Sequence, residues 1–475
     1  MPVQFSIEEL LAATGGRLLR GEASGGVAGI ATDTRSLPAG TAFIAIAGPR
    51  YDGHQFLRDA LAQGAAALIV DRAHSVPPDI AGAVPIIAVD DTVAAYGALA
   101  RRHRRRFAIP VIAVTGSCGK TTTKEYLATL LNRNGGSGVL KNPKTENNAI
   151  GVPRALLQLT ERHQVAVLEI GSNHPGEIAA LRDLVEPTHA IVVNIGPAHL
   201  QFFRSLEGVA AEKLSLLDNI PSSGGIVLHS DDPWMARWIE AHQHPGAPRI
   251  TTFGLQPPAH VWSSEAEYVD EGMRFTVNGR HTAQLPAVGA HHVLDALAAL
   301  SAATQLGYAL EDLVPRLAEC RTLEWRMEPV KLSGGPTLLC DCYNANPLSM
   351  AQAIAALAHY PRARRRLLIT GEMLELGAYA TEAHCNVGKW AMTAQLDGLI
   401  AIGPHASLIL AGAHAAMKRA ALLMGYQTVD EACARVPALL GAEDVVLIKG
   451  SRAAQLEQLV ASCRERWAPH AVLAQ

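Results

Sequence analysis

The stretch Pro110-Val-Ile-Ala-Val-Thr-Gly-Ser-Cys-Gly-Lys-Thr121 decides how the rest of the chain is read. Pro110–Val114 is a short, unbroken apolar run, the pattern of a strand buried on both faces of a parallel sheet. A glycine-bearing loop, Thr115–Lys120, follows, and Thr121–Asn132 has a helical pattern. Strand, glycine loop and helix in that order form a phosphate-binding loop. Gly116 and Gly119 let backbone N–H groups converge on anionic oxygens, and the helix start adds partial positive charge. Lys120 would neutralise β- and γ-phosphate charge, and the Thr121 hydroxyl would ligate Mg²⁺. Val114 stands where the commoner GxxxxGK[ST] form has its first glycine. Cys118 sits where helix starts lower thiol pKa values, which makes it a candidate for oxidation, though a passive role is favoured.

On either side of this loop, short apolar runs alternate with helical stretches. Before it come a helix at Ile7–Thr14, strand-like runs at Thr41–Ala47 and Ala65–Val70 with a helix near Gln55–Gln63 between them, and a joining helix around Ala88–Arg106. After it come strand candidates at Val165–Ile170, Ala190–Asn194 and Gly225–Leu228, then an alanine-rich helix at Ala290–Leu306. A last series has strands at Thr337–Cys340, Arg366–Thr370, Gly398–Ile402 and Asp444–Ile448. Strand–helix alternation implies parallel sheets with crossover helices. The expected fold class is α/β in three domains. Residues 1–88 form a small N-terminal α/β domain, 89–308 a central P-loop parallel-sheet ATPase domain, and 309–475 a C-terminal Rossmann-like domain.

Composition narrows the function. With 475 residues, 49% apolar and 18% charged, the chain has ample material for buried cores. A net charge of −3 lacks the basic excess that nucleic-acid binding needs. The run Arg101-Arg102-His103-Arg104-Arg105-Arg106 reads as a solvated helix end. Seven scattered cysteines without a CxxC pair argue against a disulfide framework or zinc site and fit a reducing cytoplasm. No signal pattern and no run of about 18–20 apolar residues occurs, so no membrane insertion is expected.

Three further residues draw attention. Glu169 ends an apolar strand, where a carboxylate faces the ligand crevice of a parallel sheet, and a buried acid there is best explained by a Mg²⁺ partner. The alternative is a capping or salt-bridged glutamate. His199, just after the strand Ala190–Asn194, would reach the same crevice edge as a ligand. Lys213 lies in a helical pattern and from spacing alone reads as a solvated lysine.

Together these residues resemble the Mur ligase family, almost from end to end. Thr32-Asp-Thr-Arg35 and Phe43–Phe56 look like its UDP-sugar-peptide-binding domain. Thr115–Glu125 looks like its TGxxGKTTTKE loop, and Asn147–Pro153 like its NNxIGVP segment. Glu169–Ile178 and Asn194–His199 are similar to its metal-site strands. Asp341-Cys-Tyr-Asn-Ala-Asn-Pro347, Gly371-Glu-Met-Leu-Glu-Leu-Gly377 and Lys449-Gly-Ser-Arg452 are close to the branch that adds D-alanyl-D-alanine to UDP-N-acetylmuramoyl-tripeptide. The resemblance implies a monomeric, cytoplasmic ATP-dependent carbon–nitrogen ligase of peptidoglycan synthesis, working through an acyl phosphate with ATP and two Mg²⁺ ions. It implies catalytic roles for Lys120, His199, Lys213 and Arg326. Nucleotide contacts would come from Gly116, Ser117, Cys118, Gly119, Lys120, Thr121, Thr122, His292, Asp295, Arg326 and Asp341. Metal ligands would be Thr121, Glu169, His199 and a carbamylated Lys213. Substrate contacts would come from Thr34, Arg35, Asn147, Asn148, Tyr343, Asn344, Asn346 and Glu375.

Some positions depart from the family pattern. Lys213-Leu-Ser replaces Lys-Gly-Glu, Trp325 replaces a glycine, and Cys340-Asp-Cys-Tyr343 replaces Asp-Asp-Ser-Tyr. His291-His-Val-Leu-Asp-Ala296 replaces HNxxNA, so His292 and Asp295 stand for two asparagines. A divergent ligase for another peptide, or a nucleotide-binding protein without catalysis, are the competing readings.

Overall fold

The computed structural model describes residues 4–48, 51–80, 84–132, 138–269 and 272–468. Pro49 and Arg50, within the stretch Phe43–Phe56, lie outside the described residues. The chain forms two compact units. One comprises Met1–Val114, Asn132–Ser172 and Glu177–His189, and the other Thr115–Leu131, Asn173–Gly176 and Ala190–Gln475.

In the first unit, helix Ile7–Thr14 begins with a reciprocal cap between Ser6 and Glu9 and stops at Gly15, which takes the left-handed φ of 64°. A five-stranded sheet follows. Ile30–Ala31, Ala42–Ile44, Ala67–Asp71 and Ile86–Val89 run parallel, and Arg17–Arg20 closes the edge antiparallel to Ile86–Val89. Leu68 and Val70 lie on one face with Phe43, Ala45, Leu57 and Ala60, as the two-residue strand period dictates. The joining helix is shorter than its sequence pattern suggests, Thr92–Arg104, because Ala88 belongs to the preceding strand and Asp91 caps the helix. Three parallel strands, Val139–Lys141, Val165–Glu169 and Val111–Thr115, pair in that order, with Glu169 opposite Val114.

The basic run is a helix end that is solvated in part, with Arg102, Arg105 and Arg106 exposed. Arg101 and Arg105 both pair with Glu186, and Arg102 and Arg106 both pair with Glu9. His103 and Arg104 are buried, bonding the carbonyls of Leu159 and Phe107.

In the second unit, helix Lys120–Leu131 packs against the long helix Ala290–Gln305. Gly225–His229, Arg249–Gly254 and Val261–Trp262 are parallel neighbours. A separate antiparallel sheet, Ala266–Val269, Gly272–Val277 and His281–Leu285, has no counterpart in the sequence reading. The last sheet has the order Glu328–Lys331, Thr337–Asp341, Asp444–Lys449, Arg365–Thr370, Gly398–Ile402 and Leu422–Tyr426. The pairings are parallel except for the first strand, an antiparallel edge. Leu339, Leu368, Leu399 and Leu447 face one core, and Leu338, Leu367, Ile400 and Val446 face the other. Apolar cores on both faces make this a doubly wound sheet. No helix among the described residues is long and apolar enough to cross a membrane.

Candidate active site

The phosphate loop is held from the side by the segment Asn194–Gly196. The Ser117 N–H donates to the Asn194 carbonyl at 3.1 Å, and the Cys118 N–H to Asn194 Oδ1 at 3.0 Å. Asn194 Nδ2 returns a bond to the Cys118 carbonyl, and Ser117 Oγ donates to the Gly196 carbonyl. Gly119 takes φ 78°, backbone that a side chain would strain. The first bond of the following helix runs from the Thr123 N–H to the Gly119 carbonyl. The Thr121 and Thr122 amides precede it and face the helix start, where an anion is favoured. Lys120 Nζ donates to the Gly116 carbonyl at 2.8 Å, which curls its ammonium over the loop. Burial pushes the Cys118 thiol up to about 12, and the nearby Asp295 adds to that. The expected lowering at a helix start is therefore overturned, because desolvation of the thiolate outweighs the helix dipole here.

Helix Ala290–Gln305 brings Asp295 beneath the loop. A β-carbon at position 119 would lie 2.2 Å from Asp295 Oδ1, so only glycine fits. The Thr123 hydroxyl donates to the same oxygen at 3.5 Å. Burial holds the Asp295 carboxyl well above its ordinary range, against the pull of Arg326. His292, 3% exposed, is pushed well below its ordinary pKa by burial, and its Nε2 has no hydrogen-bond partner among the described residues. Asp295 is thus a buried support of the loop, and His292 packs beside Tyr126 of the following helix.

Residues after 320 close over the loop. Arg326 Nη2 donates to Thr121 Oγ1 at 3.0 Å, and its guanidinium stacks 4.5 Å from the Tyr343 ring centroid. Asn346 caps helix Pro347–Ala358 and donates to the Ser117 carbonyl at 3.2 Å. The Cys118 thiol donates to Gln352 Oε1 at 3.4 Å. Asp341 forms a buried ion pair with Lys449 at 2.7 Å, and Lys449 also donates to the Asn344 carbonyl.

His199 takes a left-handed φ of 53° and points Nδ1 at the Glu375 carboxylate. Glu375, at φ 59°, is likewise in the left-handed region, and its carbonyl accepts the Gln201 N–H at 2.9 Å. Burial lowers the His199 pKa, Lys120 and Lys213 push it the same way, and Glu375 opposes them. Lys213 is 1% exposed in helix Leu206–Leu214, with its ammonium 5.8 Å from the Phe203 ring centroid. The solvated-lysine reading is thereby overturned, since the helix turns this position inward. Lys120, Lys213 and Arg326 carry positive charge in this part of the second unit, which suits a polyphosphate.

In the first unit, Glu169 is 1% exposed. Asn142 bonds both its N–H and its carbonyl, and Asn147 Nδ2 donates to its Oε1 at 2.7 Å. Its other oxygen, Oε2, is buried with no hydrogen-bond partner among the described residues. It neither caps a helix nor joins a salt bridge among the described residues, and an orphaned buried carboxylate oxygen fits a divalent cation. Asn148 Oδ1 accepts the Ile150 and Gly151 amides and so braces the turn that enters the next helix. Thr34 and Arg35 sit in a short turn, and Arg35 binds Asp33 at 2.6 Å. A cavity of ≈ 480 Å³, lined by Gly97, Ala98, Arg101, Gly171 and Leu184 among others, opens beside Asn148. Asp52, His54 and His74 also cluster. His54 Nδ1 pairs with the Asp52 carboxylate and its Nε2 accepts the Asp71 N–H, so neither nitrogen is left for a metal.

Comparison with known proteins decides the family. Residues 26–104 match the Mur ligase family catalytic domain, 114–303 the Mur ligase middle domain, and 325–452 the Mur ligase glutamate ligase domain. The chain is 34% identical over 461 residues to the UDP-N-acetylmuramoyl-tripeptide–D-alanyl-D-alanine ligase of Escherichia coli, covering 94% of this chain and 97% of that one. The chain belongs to the Mur ligase family. A crystal structure of MurF from Acinetobacter baumannii superposes with a TM-score of 0.88 at 31% identity, covering 98% of this chain and 99% of that one. MurF of Thermotoga maritima, in complex with ADP, gives 0.81 at 26% identity, covering 92% and 97%.

Within this Mur ligase, the second unit gathers Lys120, Thr121, His199, Lys213, Arg326, Asp341, Asn346 and Glu375, drawn from positions over 250 residues apart. Glu169, Asn147, Asn148, Thr34 and Arg35 belong to the first unit. Lys449, Asn142, Asn194 and Gln352 support these residues beyond those expected from the sequence. Lys449 had a signal, the Lys-Gly-Ser-Arg segment at the end of a buried strand. Asn142 had none, because its role depends on a contact with Glu169 across 27 residues.

Proposed function

We propose that this chain is an ATP-dependent ligase that joins D-alanyl-D-alanine to UDP-N-acetylmuramoyl-tripeptide. The observation that carries this reading is the braced phosphate loop with Arg326 seated on Thr121, in a chain whose relatives along nearly their whole length bear that name. The tripeptide's terminal carboxylate attacks the γ-phosphorus of ATP, ADP leaves, and an acyl phosphate forms. The dipeptide amine then attacks the acyl carbon, and the tetrahedral adduct expels phosphate and loses a proton to give the amide. Lys120, Arg326 and the helix start offset charge on the transferring phosphoryl group. Closure of residues after 320 over the loop excludes water that would hydrolyse the acyl phosphate.

Magnesium would supply Lewis-acid charge compensation when bound. Donors that suit it are Glu169 through its unbonded Oε2 in the first unit, and Thr121 and His199 in the second. Lys213 would assist as a carbamate, which turns a buried cation into an anion. Thr34 and Arg35 would receive the UDP-sugar end and Asn147 and Asn148 the peptide. Tyr343, Asn344, Asn346 and Glu375 would meet the dipeptide. Residues 1–88, 89–308 and 309–475 would be the three functional regions.

A phosphate-release assay tests this reading. ATP turnover should require Mg²⁺, UDP-N-acetylmuramoyl-tripeptide and D-alanyl-D-alanine together. Turnover with other amine donors alone would replace it with a ligase for a different peptide.

A further inference from the structure

The loop Gly371–Gly377 is fixed at two ends. Its tip carries Glu375 to His199 and accepts the Gln201 amide. Gly377 presses on Gln201, where a β-carbon would come within 3.1 Å of Gln201 Cα. At its base, the Met373 N–H donates to His384 Nε2 at 2.9 Å. His384 is fully buried in helix Ala380–Thr393, and its Nδ1 lies 2.6 Å from the Ala380 carbonyl. A carbonyl only accepts, so Nδ1 carries the proton and Nε2 is the acceptor. The His405 ring stacks on His384 with centroids 4.1 Å apart and planes 7° from parallel. His405 Nδ1 in turn lies 3.2 Å from Glu372 Oε2. Two stacked imidazoles thus hold consecutive residues of the loop, one by its backbone and one by its carboxylate.

We propose that His384 is a positioning residue for ligation, because its Nε2 sets the path of the loop that brings Glu375 to His199. Glu375 needs left-handed backbone at a non-glycine position, which persists only where the flanking residues are held. Met373 and Leu376, each 2% exposed, anchor the loop's apolar side, and the His384 bond holds the backbone at Met373. Burial lowers the His384 pKa, which keeps the acceptor nitrogen unprotonated near neutral pH. The proposal rests on the ligase reading, since it assigns the loop to the amine-accepting half of that reaction.

The test compares His384→Gln with His384→Leu. Glutamine offers Oε1 as an acceptor for the Met373 amide, whereas leucine fills similar volume without one. Steady-state KM and kcat would be measured for all three substrates. The Leu variant should lose at least about tenfold in kcat/KM for D-alanyl-D-alanine, with KM for ATP changed less than about twofold, and the Gln variant should recover most of that loss. His405→Ala, at a partly exposed ring, is the fold-safe companion and should shift the same parameter by about threefold. Hydrogen exchange should rise across residues 371–377 in the Leu variant and not in the Gln variant. Equal loss toward all substrates, no rescue by Gln, or unchanged exchange in this loop would overturn the proposal. Absence of dipeptide-dependent turnover in the unsubstituted enzyme would instead overturn the ligase reading, leaving the exchange result to judge the loop.

Discussion

At the residue scale, the site's chemistry rests on a few charges whose surroundings set their states. Lys120→Ala removes the ammonium curled over the phosphate loop, and kcat should fall on the order of 10²-fold or more, the usual cost of losing one charge-stabilising donor. Thermal melting should show the variant still folded. Full activity in a folded variant would remove the loop from the mechanism. Asp295 makes the opposite kind of prediction. Its folded pKa is raised by burial above the unfolded value, so the stability it contributes is present below the unfolded pKa and lost as pH rises. Asp295→Asn keeps the shape without the titrating proton. Its melting temperature should therefore exceed that of the parent at pH 8, with the gap closing below pH ~4. A gap independent of pH would mean that Asp295 is ionised in the fold.

At the element scale, two helix contacts can be tested separately. Helix Thr92–Arg104 ends on Glu186, whose carboxyl is held down to about 2, chiefly by its bond to Arg105. Because the folded pKa lies below the unfolded one, this stabilisation is present above pH ~4.5 and fades as pH falls toward 2. Glu186→Gln should lower the melting temperature at pH 6, and the difference should shrink in acid and in high salt. A constant difference would point to packing instead. Helices Ala380–Thr393 and Ala406–Ala416 cross at paired glycines. A β-carbon at 388 would lie 1.9 Å from the Ile409 carbonyl oxygen, and one at 412 would lie 1.9 Å from that of Cys385. Gly388→Ala should cost about 1–3 kcal/mol in denaturant unfolding, as overpacked contacts do. No loss would mean the helices can separate freely.

At the scale of the whole molecule, the legible parts were those written in contiguous sequence. The strand–loop–helix around Lys120 is one continuous string, and the doubly wound sheet follows from apolar runs separated by helical stretches. The antiparallel sheet of Ala266–Val269, Gly272–Val277 and His281–Leu285 is not legible because its strands mix polar and apolar residues, as in Gly272-Met-Arg-Phe-Thr-Val277, and lack unbroken apolar runs. The edge strand Arg17–Arg20 was hidden by its terminal arginines. Pairings such as Asp341 with Lys449 and His199 with Glu375 join residues over 100 positions apart, and no local pattern records them. The buried state of Lys213 likewise follows from which way a helix faces, which spacing alone did not settle.

The central claim is that the acceptor carboxylate itself attacks the terminal phosphorus of ATP. Its most direct test is to supply UDP-N-acetylmuramoyl-tripeptide with ¹⁸O in the terminal carboxylate and to weigh the released phosphate. The acyl-phosphate route predicts that one labelled oxygen passes into each phosphate as the amide forms. Unlabelled phosphate alongside normal amide formation would contradict it.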